Sequence, residues 1–243
     1  MITRPAGEAR LFLRHVALAV AVSSLSWPAH AQRVVDTFES SANPNAWGWT
    51  NVFGDATITP DGGNPGAWVD TQVPYFAQHP HFISAPPPGS ALQAALASGT
   101  LHTASIDLQR LDTTGVSGCQ PTHLQASFVS LGLFDLHSSD IITIEGRTTE
   151  GPMFPLGPFP WFTASFDIPS EATETPPGWE LVVPEGMTYT WADLMRNLDG
   201  MRFYVGDPDQ TAFSACSHLG ADNVVVTYGD SLFTDGFDGS GAP

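Results

Sequence analysis

Leu101-His102-Thr103-Ala104-Ser105-Ile106-Asp107-Leu108 is the stretch that decides the fold. Its residues alternate: His102, Ala104, Ile106 and Leu108 fall on one side of an extended chain, Thr103, Ser105 and Asp107 on the other. Successive side chains of a strand point to opposite faces, so this pattern predicts a strand with one face on a core and one toward water. Working outward, similar runs occupy 33–38, 47–52, 55–59 and 67–70 on one side. On the other side they occupy 122–131, 140–145, 161–168, 179–183, 201–205 and 223–228. Turn clusters such as Asp61-Gly62-Gly63-Asn64-Pro65-Gly66 separate them. The pattern predicts an all-β fold, an antiparallel sandwich or a barrel.

Two segments depart from period two. Residues 90–97 predict a helical turn. Residues 190–198 predict the better helix: Thr190 caps it, Asp193 lies in the first turn, and Trp191, Leu194, Met195 and Leu198 form one apolar face. Gly200 is expected to end it. The Pro-rich segments 148–160 and 170–178 read as surface loops between strands.

Composition narrows the function. The 243 residues carry 25 Asp plus Glu against 8 Arg and no Lys, a formal net charge of -17. Nucleic-acid binding needs a cationic surface, and so does docking on an anionic membrane. Neither class fits. With 23 Gly and 21 Pro the chain is no helical bundle, since both residues interrupt helices.

Arg4, Arg10 and Arg14 precede an apolar stretch over 16–25, followed by Ala29-His30-Ala31. This is the pattern of a secretory signal peptide over 1–31, cleaved before Gln32. The apolar run is about ten residues, too short to span a bilayer. Cleavage removes three arginines and one glutamate, so the mature chain is more acidic still. No second apolar run near 18 residues follows and the C-terminus has no hydrophobic tail, so the expected product has no membrane anchor and is secreted or periplasmic. Residues 32–228 are expected to form one domain and 229–243 a flexible acidic tail. In an oxidising compartment the two cysteines, Cys119 and Cys216, are expected to pair. Closing so long a loop stabilises by roughly 4–5 kcal/mol in the chain-entropy account.

The stretch Thr190-Trp191-Ala192-Asp193-Leu194-Met195-Arg196-Asn197-Leu198-Asp199-Gly200-Met201-Arg202-Phe203-Tyr204 resembles the closing part of a laminin IV (laminin B) domain. Leu219-Gly220-Ala221-Asp222-Asn223-Val224-Val225-Val226 fills the place of its final strand, and Phe38-Glu39, Trp47, Trp49 and the 62–66 turn resemble its opening. The resemblance implies a jelly-roll sandwich, like a carbohydrate-binding module, with an extracellular binding or adhesion role and no catalysis. It also implies a structural calcium ion where the first and last strands meet. The expected ligands are Glu39 and Asp222, with the Asn43 side chain or carbonyls of 40–45 completing the shell.

No nucleophile elbow, zinc-protease or P-loop motif is present. His79-Pro80-His81 places two imidazoles near each other with no evident third ligand. With so many acids, close carboxylate pairs arise by number alone. Flat aromatic rings complement the C–H faces of sugars, and Asp, Asn or Gln beside them take the hydroxyls. Trp161 and its neighbour Phe159, in Pro158-Phe159-Pro160-Trp161-Phe162, are therefore the candidate ligand contacts. Three classes stay open: an extracellular binding or adhesion domain for a glycan or protein, a structural matrix or envelope protein, and a secreted glycoside hydrolase.

Overall fold

The computed structural model describes residues 31–39, 49–51, 55–77, 81–84, 86–116, 127–137, 142–154, 157–205 and 215–229. Residues 1–30 of the expected signal peptide, Asn43, His79, Cys119 and the tail beyond Gly229 lie outside them.

Thirteen strands and two helices follow one another in the described chain. They are β1 Gln32–Asp36, β2 Trp49–Asn51, β3 Asp55–Gly63, β4 Gly66–Ala77, β5 His81–Ser84, α1 Ala91–Ala97, β6 Leu101–Arg110 and β7 Ser127–His137. Then come β8 Ile142–Thr148, β9 Met153–Phe154, β10 Phe159–Asp167, β11 Trp179–Val182, α2 Trp191–Arg196, β12 Gly200–Val205 and β13 Ala215–Tyr228. The strands form an antiparallel sandwich. The first sheet runs β10-β6-β13-β4-β3, with β1 also on β13. The second runs β11-β8-β7-β12-β5-β2, with β9 on β7.

The core lies between the sheets. Ala104, Ile106 and Leu108 of β6, Val129, Leu131 and Leu133 of β7, and Met201, Phe203 and Val205 of β12 all point into it. The alternation in β6 is thus real, although His102 is only half-buried and meets the Gly229 carbonyl through Nε2 at 2.7 Å. Helix α2 buries Trp191, Leu194 and Met195, and Leu198 beyond it is buried too. Truncating a fully buried ring such as Trp191 costs about 3–5 kcal/mol. Gly146 of β8 makes room for the helix: a Cβ there would sit 2.6 Å from the Trp191 ring and 2.7 Å from Leu194. Thr190 and Asp193 form a reciprocal capping box. Asn197 is the C-cap, and Gly200 opens β12 rather than ending the helix.

Strand β13 departs most from expectation. It starts at Ala215, not near Asp222, so Cys216 lies inside it. Leu219 and Ala221 point to the core at odd positions, Val224 and Val226 at even ones. A strand keeps that parity only if it gains a residue between the two halves. The bulge supplies it: Asp222 pairs with Asp107, and the next pair is Val225 with Ser105. Asn223, at φ 44°, takes the left-handed conformation that asparagine tolerates best after glycine. Before the bulge one edge of β13 carries β4; after it the same edge carries β1. The bulge therefore stands where the two strands hand over.

Candidate binding sites on the two outer faces

The handover gathers acids. Register sets Thr163, Asp107 and Asp222 side by side on the outward face of the first sheet. Like charges directly opposite across strands repel. Amide and hydroxyl donors separate them. The backbone N–H groups of Asn64 and Asn223 each donate to Asp222 at 2.7 Å. The side-chain amides of Asn64 and Asn223 donate to Asp107 Oδ2 at 3.1 and 2.8 Å, and Thr163 donates to its other oxygen. Burial pushes the Asp222 carboxyl up to about 6; the two backbone donors pull it down, while the charges of Asp107 and Glu39 push it further up.

Glu39 arrives from the far end of the chain. After β1, Phe38 turns at φ 57° and buries its ring, while Glu39 accepts from the Ala67 N–H at 2.9 Å. A bulky residue at positive φ is strained, and only a surrounding structure that fixes it keeps it there. Glu39 and Asp222 thus both stand at the turn that joins β3 to β4, Glu39 on Ala67 and Asp222 on Asn64. That turn is lined with oxygen. A Cβ on Gly63 would meet the Gly66 carbonyl at 2.6 Å, Asp222 Oδ2 at 2.8 Å and the Ala67 carbonyl at 2.9 Å. A Cβ on Gly66 would collide with Glu39 Oε1. Among the described residues no three His, Cys, Asp or Glu side chains group as a metal site, so a cation here would need the turn carbonyls as well. Hard oxygen donors of this kind suit calcium.

Trp161 lies on the same outward face. Pro160 and Trp161 together oppose Gln109, a bulge that re-aims the Trp161 ring. The half-buried Trp161 meets Trp68 edge-on, centroids 5.9 Å apart. The two indoles hold the turn down, Trp68 donating to the Asp61 carbonyl at 3.0 Å and Trp161 to that of Gly62 at 3.2 Å. Gly220 leaves space beneath: a Cβ there would sit 2.7 Å from the Gln109 side chain and 2.9 Å from the Trp68 ring. Register adds Asp70 beside Gly220, and the His218 Nε2 meets Asp70 at 2.8 Å. Phe159 behaves differently. Its ring packs edge-on against Phe162 at 5.9 Å, and Phe162 in turn rests on the buried Phe154. The structure thus brings Trp161 to Trp68 and Gln109, leaves Asp70 two strands beyond Gln109 on the same face, and ties Phe159 to the core side.

The outward face of the second sheet was not singled out from sequence. There Arg202 Nε donates to Glu145 Oε1 at 2.7 Å, and Tyr204 O–H donates to the same oxygen at 2.7 Å. The Arg202 guanidinium lies 5.1 Å from the Phe134 centroid and 5.3 Å from that of Tyr204. Burial and the adjacent Glu145 charge raise the Tyr204 phenol, which stays protonated and a donor. Gly132 makes the arrangement possible, because a Cβ there would strike Glu145. Beside it Arg147 reaches Glu180 at 3.2 Å. The signal was present: two of the five arginines after residue 31 occupy outward positions of these strands, in a chain otherwise short of cations.

The disulfide lies outside what is described, since Cys119 is not among the described residues. No described helix is long and apolar enough to cross a membrane.

No protein-family model matches the chain, and no curated protein matches it. Among solved structures, a conserved carbohydrate esterase from the Shiga toxin-encoding bacteriophage phi24B is similar at 11% identity and a TM-score of 0.43, over 83% of this chain and 100% of that one. The CBM27-1 module of Caldicellulosiruptor saccharolyticus, solved in complex with mannohexaose, is similar at 12% identity and a TM-score of 0.34, over 81% and 97%. Superpositions this loose carry no argument about ligand or reaction.

Proposed function

We propose that this chain is an exported, non-catalytic binding module for an extracellular glycan, with its ligand face on the outer side of the first sheet. The observation that carries the reading is the Trp161 ring. A strand bulge turns it outward, and the ring stays half-exposed beside Trp68 and Gln109. An aromatic face with an amide beside it, and the Asp70 carboxylate farther along the same face, suits a sugar ring with equatorial hydroxyls. The Gln109 amide makes no hydrogen bond within the described residues. Phe159 contributes by supporting the strand that carries Trp161. The laminin IV-like reading belongs to the same proposal, since Glu39, the 62–66 turn and Asp222-Asn223, which carry part of it, stand together at this face. A glycan array of the mature exported protein tests it: specific retention of at least one glycan is expected, and no retention in the presence of calcium overturns it.

Calcium is the second part of the proposal. Glu39, Asp222 and carbonyls of the Gly63–Ala67 turn would hold it, with Asn43 completing the shell. The ion would supply the positive charge that three neighbouring carboxylates lack and would tie the chain's first and last strands together. The oxygen-lined turn and the raised Asp222 support this.

A further inference from the structure

The outer face of the second sheet holds a donor and an acceptor without partners among the described residues. Arg202 uses Nε on Glu145 and stacks on two rings, yet within the described residues its two Nη groups make no hydrogen bond. Glu145 receives both Arg202 and Tyr204 on Oε1, leaving Oε2 without a donor among the described residues. Glu145 is nine-tenths buried, its side chain 9% exposed, while Arg202 keeps 19% open. A second, independent group points the same way. Ser130, register partner of Tyr204, lies on this face fully buried, and its hydroxyl has no hydrogen-bond partner among the described residues. Buried polar groups are normally satisfied, and exceptions call for an explanation.

We infer that this face is a second saccharide site, in which one hydroxyl of a vicinal diol accepts from the Arg202 Nη groups while its neighbour donates to Glu145 Oε2. The chemistry selects the ligand class. A guanidinium alone would favour a carboxylate, with two parallel N–H···O bonds. Here Glu145 already stands against the guanidinium, so an incoming carboxylate would meet an anion with a free oxygen edge. A neutral diol offers both a donor and an acceptor and meets no repulsion. Packing over Gly132 fixes the two protein groups in place before the ligand arrives, which lowers the entropy lost on binding. The site goes beyond the Trp161 face, which lies on the other side of the sandwich, and it does not depend on that face.

The experiment screens the mature protein, Arg202→Lys and Trp161→Ala on one array of neutral and uronate-bearing oligosaccharides. Lysine keeps the charge and loses the planar fork. The expected result is a set of neutral glycans whose retention falls at least tenfold in Arg202→Lys and is unchanged in Trp161→Ala. A wild-type profile in Arg202→Lys overturns the site, and so does a loss confined to uronate glycans. Because the lysine variant also disturbs a packed group, the intact protein is followed by NMR with one of those neutral glycans. The Arg202 Nε–H signal must move on titration while the Trp161 indole signal stays still. An unmoved Arg202 signal overturns the site even if Arg202→Lys binds nothing. Loss in Trp161→Ala alone leaves only the first face standing; loss in Arg202→Lys alone, with the Arg202 signal moving, removes the first face and keeps this one.

Discussion

The two outer faces of the sandwich handle buried carboxylates in opposite ways. On the second sheet Glu145 has a cation, Arg202, 2.7 Å away. On the first sheet Asp222 faces Asp107 across the strand pair with Glu39 nearby, and among the described residues only amides and hydroxyls stand between them. The same side-chain chemistry therefore stabilises one face and strains the other. A carboxylate's contribution is set by what faces it, and a chain with so few cations cannot treat every carboxylate alike.

Replacing each carboxylate by its amide separates the two cases by sign. Glu145→Gln leaves Arg202 without a counterion in a mostly buried position. Breaking a buried pair costs about 3–5 kcal/mol, and the partial exposure of Arg202 brings the expected loss to about 2–4 kcal/mol, read from urea unfolding. A neutral change there would mean that the pair is too well solvated to matter.

Asp222→Asn is expected to do the reverse in calcium-free buffer. Its folded pKa is raised above the ordinary value of 3.8, so the folded state binds the proton more tightly than the unfolded one. The resulting destabilisation is full above about pH 6 and gone below about pH 4. Wild-type protein in EDTA should therefore gain stability as pH falls from 7 to 5. At pH 7.5 Asp222→Asn should gain about 1–3 kcal/mol, an advantage that vanishes near pH 4. Calcium inverts the comparison: millimolar calcium should raise the Tm of the wild type and not that of Asp222→Asn or Glu39→Gln. Metal-free wild type whose Tm ignores both EDTA and calcium would remove the ion from the account.

The smallest effect belongs to the Arg147–Glu180 pair beside Arg202, where the Glu180 side chain is 50% exposed. Glu180→Gln should cost under about 1 kcal/mol and less in 0.5 M salt. A larger, salt-insensitive loss would show that the whole outer face is one coupled network.

The two-sheet architecture was legible because period-two alternation is a local signal. Ala104, Ile106 and Leu108 declare their face without reference to any neighbour, and the α2 stripe of Trp191, Leu194 and Met195 declares a helix in the same way. The length of β13 was hidden, because Gly220 and the Asp222-Asn223 bulge read locally as a turn. Only the parity change between Ala221 and Val224 betrays a continuous strand. Strand β5 was hidden by the Pro80 before it, and the buried Phe154 sits in what reads as a loop. The meeting of Glu39 with Asp222 came from family resemblance, and Asp107 was missed as the third acid because its place depends on which strand lies beside β13. Arg202 and Tyr204 could be assigned to one face from their spacing, whereas Glu145 and Gly132 join them only through the strand order.

The central claim is that the outward Trp161 ring is a ligand platform rather than a brace for the 61–66 turn. Trp161→Ala tests it, titrated by calorimetry against a glycan retained on the array, with the unfolding midpoint measured on the same sample. Binding is expected to weaken at least tenfold while stability falls by no more than about 1–2 kcal/mol, the scale of one edge-on ring contact and one hydrogen bond. Unchanged affinity, or a protein that no longer folds, would contradict it and return Trp161 to a structural role.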